Sequence, residues 1–435
     1  MPHAGMTAER WRPSAPLWRP LPPSGADGSG ALLRNRDFQA FWSSRFFAGL
    51  GKEIGEVAYP LLVLFFVGSA TTAGAVGAAQ VATAMVSVLV GGALADRVNR
   101  RVVLLCCDLG RLVLLALFAL LLFTGHASIP FATGVAMASA AMSGVSNPVA
   151  MAATKQLVPP AQLADAAAQN QVRLFTTTAF GAPVAGALFT LARALPFLAE
   201  ALSYLAAAAL VLYVRRPLQA DRTALPCGWS LHSAVSGFLV LARNPILRTM
   251  MLWIIIFNLA FAQTGVFLAI IATAEGMGAS SVRIGAAVSL AGAGGLVGSL
   301  ASGAVVRWVR PSTTFLAVAW AAPACALALL AAPDVLFLGA IVGCLFAMVP
   351  CVNAVFYGYV AASVADGHQG RVLGAVSFLS LLSQPAGILG IGIVFDTVGP
   401  VWVFLMMAAV SGLAALVSLA PVMRRLPRPE EVTVS

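Results

Sequence analysis

Charge is scarce in this sequence: of 435 residues only 10% are Asp, Glu, Lys or Arg, while 60% are hydrophobic. Soluble globular domains usually carry about 25% charge, so that shortage excludes an ordinary soluble fold. Histidine is scarcer still, and His3, His126, His232 and His368 lie far apart, which argues against a metal centre. The six cysteines (Cys106, Cys107, Cys227, Cys325, Cys344 and Cys351) include no Cys-x-x-Cys pair, and all but Cys227 sit in apolar runs. They read as small core residues, with neither a disulfide frame nor a metal site expected. No Gly-x-x-x-x-Gly-Lys-Ser/Thr phosphate loop is present, because Gly51-Lys52 is followed by Glu53 inside an apolar stretch. ATP is therefore not expected as the direct energy source, and no motif calls for a cofactor. Without a clustered nucleophile or metal-ligand set, an enzyme is disfavoured. The net charge of +10 does not indicate nucleic acid, since the bases are scattered between apolar spans and not gathered on a polar domain. Residues 1–36 are rich in Pro, Arg, Gly and Ser without an apolar core stretch. They are expected to form a disordered cytoplasmic tail and not a secretory signal peptide.

What the chain does have is apolar runs of the roughly 20 residues needed to cross a bilayer. Twelve are expected, at about 38–67, 72–94, 102–123, 128–153, 168–192, 195–214, 246–273, 282–306, 313–331, 334–361, 372–395 and 399–421. Long Ala/Leu/Val/Gly runs suit helices, whereas a barrel would need alternating strands. The expectation is an all-α membrane protein of two six-helix bundles, 37–214 and 246–421. A cytoplasmic linker at 215–245 joins them, with a short surface helix in its second part (Trp229–Arg243), and residues 422–435 form a C-terminal tail. Twenty-one Lys/Arg lie on the tails, the even-numbered loops and their flanking helix ends, against only Arg193 and Arg283 on the opposite loops. That asymmetry predicts both termini in the cytoplasm, in a multi-pass protein of the cytoplasmic membrane.

One loop stands out. Gly91-Gly92-Ala93-Leu94-Ala95-Asp96-Arg97-Val98-Asn99-Arg100-Arg101 sets one acid and three arginines between spans two and three. Glycines there let helix ends approach closely. A charged loop that only fixes orientation is one reading; a latch, with Asp96 and the arginines holding helix ends together, is the other. The loop resembles the signature between the second and third helices of the major facilitator superfamily, Gly-x-Leu-Ala-Asp-Arg-x-Gly-Arg-Arg. Gly92, Leu94, Ala95, Asp96, Arg97, Arg100 and Arg101 match, and Asn99 replaces the second glycine. The resemblance implies a twelve-helix transporter without a cofactor. Asp108 and Arg111, one turn apart in span three, are expected to pair and extend the latch. Arg173 and Arg371 occupy matching places in the halves, as anchors or partners for Asp96 and Asp366. The halves echo one another further: Leu89-Val90-Gly91-Gly92 recurs as Leu296-Val297-Gly298-Ser299, and Pro183-Val184-Ala185-Gly186 as Pro385-Ala386-Gly387.

A closer resemblance, from about residue 34 to 421, is to the enterobactin-exporter and macrolide-efflux branch. It rests on Pro60-Leu61-Leu62-Val63-Leu64, Asn147-Pro148 with Leu157-Val158-Pro159, Arg243-Asn244-Pro245-Ile246-Leu247-Arg248 and Gly370-Arg371-Val372. Members of that branch export siderophores, antibiotics and other amphipathic compounds on an ion gradient, so the same is expected here.

A gradient-driven carrier requires an ionisable group within the membrane. Lys52, Glu53 and Glu56 fall near the middle of span one, where each charge costs roughly 2.5–3.5 kcal/mol or more unless it faces a cavity or a partner. Lys52 and Glu56 can meet on one face, as can Glu53 and Glu56. Two acids beside one lysine leave a spare negative charge, a chemistry suited to a proton or a cationic substrate; a static ion-pair cluster is the competing reading. Asn147, Asn258, Gln263, Asn353, Tyr357 and Gln384 are candidates for a substrate wall, though interhelical hydrogen bonding explains each one equally well. Glu200 is placed at the interface near the outer end of span six. Gly181, Pro183 and Gly186 partly match the Gly-Pro-x-x-Gly pattern of span five in drug–proton antiporters, and the proline frees a backbone carbonyl. The expected partners are thus a small-molecule substrate, protons and membrane lipid, with the chain acting as a monomer. Import of a small metabolite on the same fold, and a receptor that no longer transports, stay open.

Overall fold

The computed structural model describes residues 32, 34–159, 162–219, 231–364, 366–424 and 426, and of 96, 164, 231–236, 361 and 366–371 the backbone only. Sixteen helices follow one another among these residues: α1 Arg36–Val67, α2 Ala70–Arg97, α3 Arg100–Phe123, α4 Ile129–Leu157, α5 Leu163–Leu191, α6 Leu195–Tyr213, α7 Leu231–Arg243, α8 Pro245–Phe261, α9 Gln263–Gly276, α10 Ser281–Trp308, α11 Pro311–Leu329, α12 Val335–Ser363, α13 Asp366–Leu382, α14 Gln384–Val398, α15 Pro400–Ser418 and α16 Pro421–Arg424. Eleven segments are long and apolar enough to cross a membrane, two of them the pairs α8–α9 and α13–α14. The twelfth is α1, at 32 residues long enough but interrupted by Lys52, Glu53 and Glu56. These twelve crossings are the twelve expected from sequence. The ends of the fold, Arg36 and Arg424, share one face, here the terminal face; the opposite one is the far face.

Polar residues at the helix ends make the starts abrupt. The Asn35, Ser69, Asn99 and Asn244 side chains accept from backbone N–H groups of the first turns of α1, α2, α3 and α8. Between helices, close packing runs through small residues, as an apolar solvent demands. Gly91 of α2 abuts the backbone of Val145, and Gly144 of α4 abuts that of Ala84. Gly298 of α10 does the same against Ala347 of α12. The sequence echo of Gly91 in Gly298 therefore marks one repeated helix crossing. The partner of the loop glycine is span four, not span three, and Gly92 itself has no neighbour within 4 Å of a built Cβ.

The two halves meet through α5 with α10 and α2 with α14. Gly186 packs on Ser281 and Gly285, Gly292 on Ala179, and Gly392 on Ala70. Hydrogen bonds fasten the far face. Asp396 accepts from Ser69 Oγ (2.7 Å), Ala70 N (2.9 Å) and Thr71 N (2.8 Å), and Thr71 Oγ1 donates to the Gly392 carbonyl (3.2 Å). Asp396 thus binds the first N–H groups of α2, where the helix dipole favours an anion. The outer surface of the bundle carries bare apolar side chains such as Leu191, Met151, Leu300 and Trp308, as a lipid-facing surface should.

Candidate functional site

Between the halves, from mid-membrane toward the terminal face, lies a cleft of about 410 Å³ that opens to solvent. Four of the six expected wall residues line it: Asn147, Asn258, Gln263 and Gln384. Asn353 and Tyr357 do not; Tyr357 is exposed on α12. Gln80 and Thr264 line the cleft as well and escaped the sequence reading, since neither stands out by charge or size. Phe175, Phe257, Phe261 and Phe346 supply aromatic surface, so the walls are greasy with amides interspersed.

Lys52 and Glu56 of the α1 trio line this cleft, and Glu53 is buried beside them. Lys52 Nζ lies 3.3 Å from Glu56 and 3.7 Å from Glu53. The lysine side chain is 46% exposed, whereas the Glu53 residue is 3% exposed. Both carboxylates also reach across to the other half. Gln263 Nε2 donates to Glu53 at 2.8 Å, and Thr264 Oγ1 donates to Glu56 at 3.0 Å. These donors sit at the first turn of α9, because span seven breaks at Ala262, whose ψ of 135° is extended. A broken helix whose N-terminus points at anionic groups is a recurrent way to build a mid-membrane site. Gly181 of α5 lies directly against Glu53 Cβ, leaving no room for a side chain there.

The span-five motif behaves as its residue types require. Pro183 cannot bond to the carbonyl four residues back, Ala179, and that oxygen accepts from Ser289 Oγ of α10 at 2.6 Å. Gly186→Leu would force α5 from the Ser281 backbone. Cross-linking of α5 to α10 on the far face is expected to fall sharply in that variant; unchanged cross-linking would show the contact to be dispensable.

Two of the latch arginines bind backbone carbonyls of their own half. Arg100 donates to the Ala95, Ala152 and Leu218 carbonyls, and Arg101 to those of Val214 and Arg216. They neutralise the C-terminal carbonyls of α2, α4 and α6, as cations at helix ends do. Arg97 is exposed. The side chains of Asp96, Asp366 and Arg371 lie outside the described residues.

Two sequence expectations are corrected. Asp108 pairs not with Arg111 but with Arg45 of α1, at 2.5 Å and fully buried. Arg111 donates to Ser146 of α4 and lies over the Tyr204 ring, 4.7 Å from its centroid. Sequence spacing sees only neighbours on one helix, and here both partners come from others. Glu200 is not interfacial: it is 2% exposed and lines the cleft wall beside Gly55. Arg173 donates to the Arg45 carbonyl at 2.8 Å. Among the described residues no His/Cys/Asp/Glu group could hold a metal.

The model of one family, the Major Facilitator Superfamily, matches residues 41–387. The chain belongs to that superfamily. Solved structures agree on the fold. A D-xylose–proton symporter superposes with a TM-score of 0.70 at 14% identity, over 93% of this chain and 100% of its own. The nucleoside transporter NupG gives 0.68 at 11%, over 90% and 100%. No curated protein matches the chain by sequence. As a superfamily member it is a multi-pass membrane transporter of small molecules and not an enzyme; the two-bundle, cleft-centred architecture is the one the sequence led us to expect.

Proposed function

We propose that this superfamily member exports a hydrophobic or amphipathic small molecule across the cytoplasmic membrane in exchange for protons, as a monomer with both termini in the cytoplasm. In that orientation the cleft opens to the cytoplasm and the far face is shut. The observation that carries the reading is the polar bridge at the inner end of the cleft, where Glu53 and Glu56 hold Gln263 and Thr264 of the other half. A carboxylate that gains a proton loses its charge toward Lys52 and weakens as an acceptor from the facing amide or hydroxyl. Proton exchange at Glu53 or Glu56 then changes the contact between the halves. Substrate competes for the same surface, because Lys52, Glu56 and the aromatic residues line one cleft. Asp96 and the loop arginines would hold the terminal face shut in the opposite state.

Everted membrane vesicles test this. With the interior acidified, wild type is expected to accumulate an amphipathic substrate and to discharge the pH gradient as it does so. Glu53→Gln should lower that coupled uptake at least tenfold while leaving the protein in the membrane. Undiminished proton-dependent uptake in Glu53→Gln would remove the trio from the mechanism. Import is the second reading, favoured by the amides Gln80, Asn147, Asn258, Gln263 and Gln384 along the cleft, a lining suited to hydroxylated solutes. Uptake by right-side-out cells under the normal gradient, with none in everted vesicles, would establish it.

A further inference from the structure

Glu200 stands apart from the trio and has a different problem. The trio's acids have a lysine and cross-half donors. Glu200, in α6, has no basic side chain within ion-pairing distance among the described residues, and its Oε2 is buried without a hydrogen-bond partner. The two cations nearest it are already engaged: Lys52 of α1 with Glu53 and Glu56, and Arg111 of α3 with Ser146 and the Tyr204 ring. Tyr59 of α1 has a buried hydroxyl, also without a partner, and packs with Phe118 and Phe197. The space for the carboxylate exists only because residue 55 is glycine, since a Cβ there would stand 2.7 Å from Oε2.

An ionised carboxylate with a bare oxygen in such a place carries a large desolvation cost; a carboxylic acid does not. Glu200 nevertheless lines the cleft alongside Lys52, Glu56, Tyr59 and Tyr204, so the group is within reach of solvent that enters from the terminal face. We propose that Glu200 is a second proton-binding carboxylate of this transporter, loaded in the state described and separate from the Lys52–Glu53–Glu56 trio. The step is a simple protonation: an O–H bond forms on the Glu200 carboxylate with a proton from cleft water, and the same bond breaks when the proton returns to water. It deepens the reading of the cleft as a proton-coupled site, and it places part of the proton load on α6, in a group that has no donor from the other half.

The test needs no substrate. Infrared spectra of the purified full-length protein in lipid, at neutral pH, are compared for wild type, Glu200→Gln and the Glu53→Gln/Glu56→Gln double variant. The expected result is a carboxylic-acid C=O band, sensitive to deuterium exchange, present in wild type and the double variant and lost in Glu200→Gln. A wild-type-minus-Glu200→Gln difference that contains only ionised carboxylate bands would overturn the proposal and leave Glu200 as the charge partner of Arg111 through Tyr204. Gly55→Ala supplies a variant with the acid retained: its methyl group should shift the band, and an unshifted band also overturns the assignment. Failure of the trio reading is recognised separately, as vesicle proton movement unaltered in the double variant.

Discussion

Asp108→Asn is expected to lower the stability of the folded transporter by roughly 3–5 kcal/mol, the cost of stranding one member of a buried ion pair. Arg45 and Asp108 are both buried, and their contact ties α1 to α3 inside the first bundle. Arg45 has one other side-chain hydrogen bond, to Ser44 Oγ at 2.9 Å, lies 5.9 Å from the Phe41 ring centroid, and its Nε has no partner. A neutral Asn at 108 therefore leaves a guanidinium in low dielectric with one hydroxyl and a ring face. Removing both charges, as in Arg45→Met with Asp108→Leu, should restore most of the loss, because a well-packed apolar pair is often no worse than a buried ionic one. Denaturant titration in mixed micelles checks both variants. A change below about 1 kcal/mol for Asp108→Asn would mean that water reaches the pair and screens it.

Asp396→Ala should produce the second large effect, on conformation and not on stability. Its carboxylate, exposed to solvent, takes three donors from the start of α2, and water screens each such bond to about 0.5 kcal/mol. Losing all three moves a two-state equilibrium roughly tenfold. The population with the far face parted is therefore expected to rise by a factor of about ten. Spin labels at Phe66 and Val401, exposed residues of the two halves near that face, would report it as a new long distance. Identical distance distributions in variant and parent would show that apolar packing alone closes this face.

The architecture was legible because a bilayer imposes a coarse rule: apolar length sets the number of crossings, and glycine and proline mark where helices touch. Gly91 and Gly298 could be read as a repeat before their shared crossing was visible. Pairings between helices were not legible. Arg45 and Asp108 are 63 residues apart, and a sequence offers Asp108 only Arg111 as a neighbour. The break at Ala262 leaves no mark either, since neither proline nor an interior glycine precedes it, and so Gln263 passed as an ordinary wall residue and Thr264 went unremarked. Asp396 lay one residue beyond the expected end of span eleven. Its role depends on the free N–H groups of α2, which a side-chain reading does not register. The trio of α1 was the opposite case. Charges in oil are so costly that their positions alone identified the inner end of the cleft.

One consequence of the split in span seven concerns motion. At 1.5 Å per residue the 14 residues of α9 cover about 21 Å, short of the roughly 30 Å of hydrocarbon. The piece is held at its start by two acids of the opposite bundle, while α8 packs within its own. The joint at Ala262 therefore allows α9 to swing as a short lever when those acids shift, without dragging the rest of the crossing along. Under the proposed exchange, proton traffic over a few ångströms would in this way be geared to tilting of a rod several times longer.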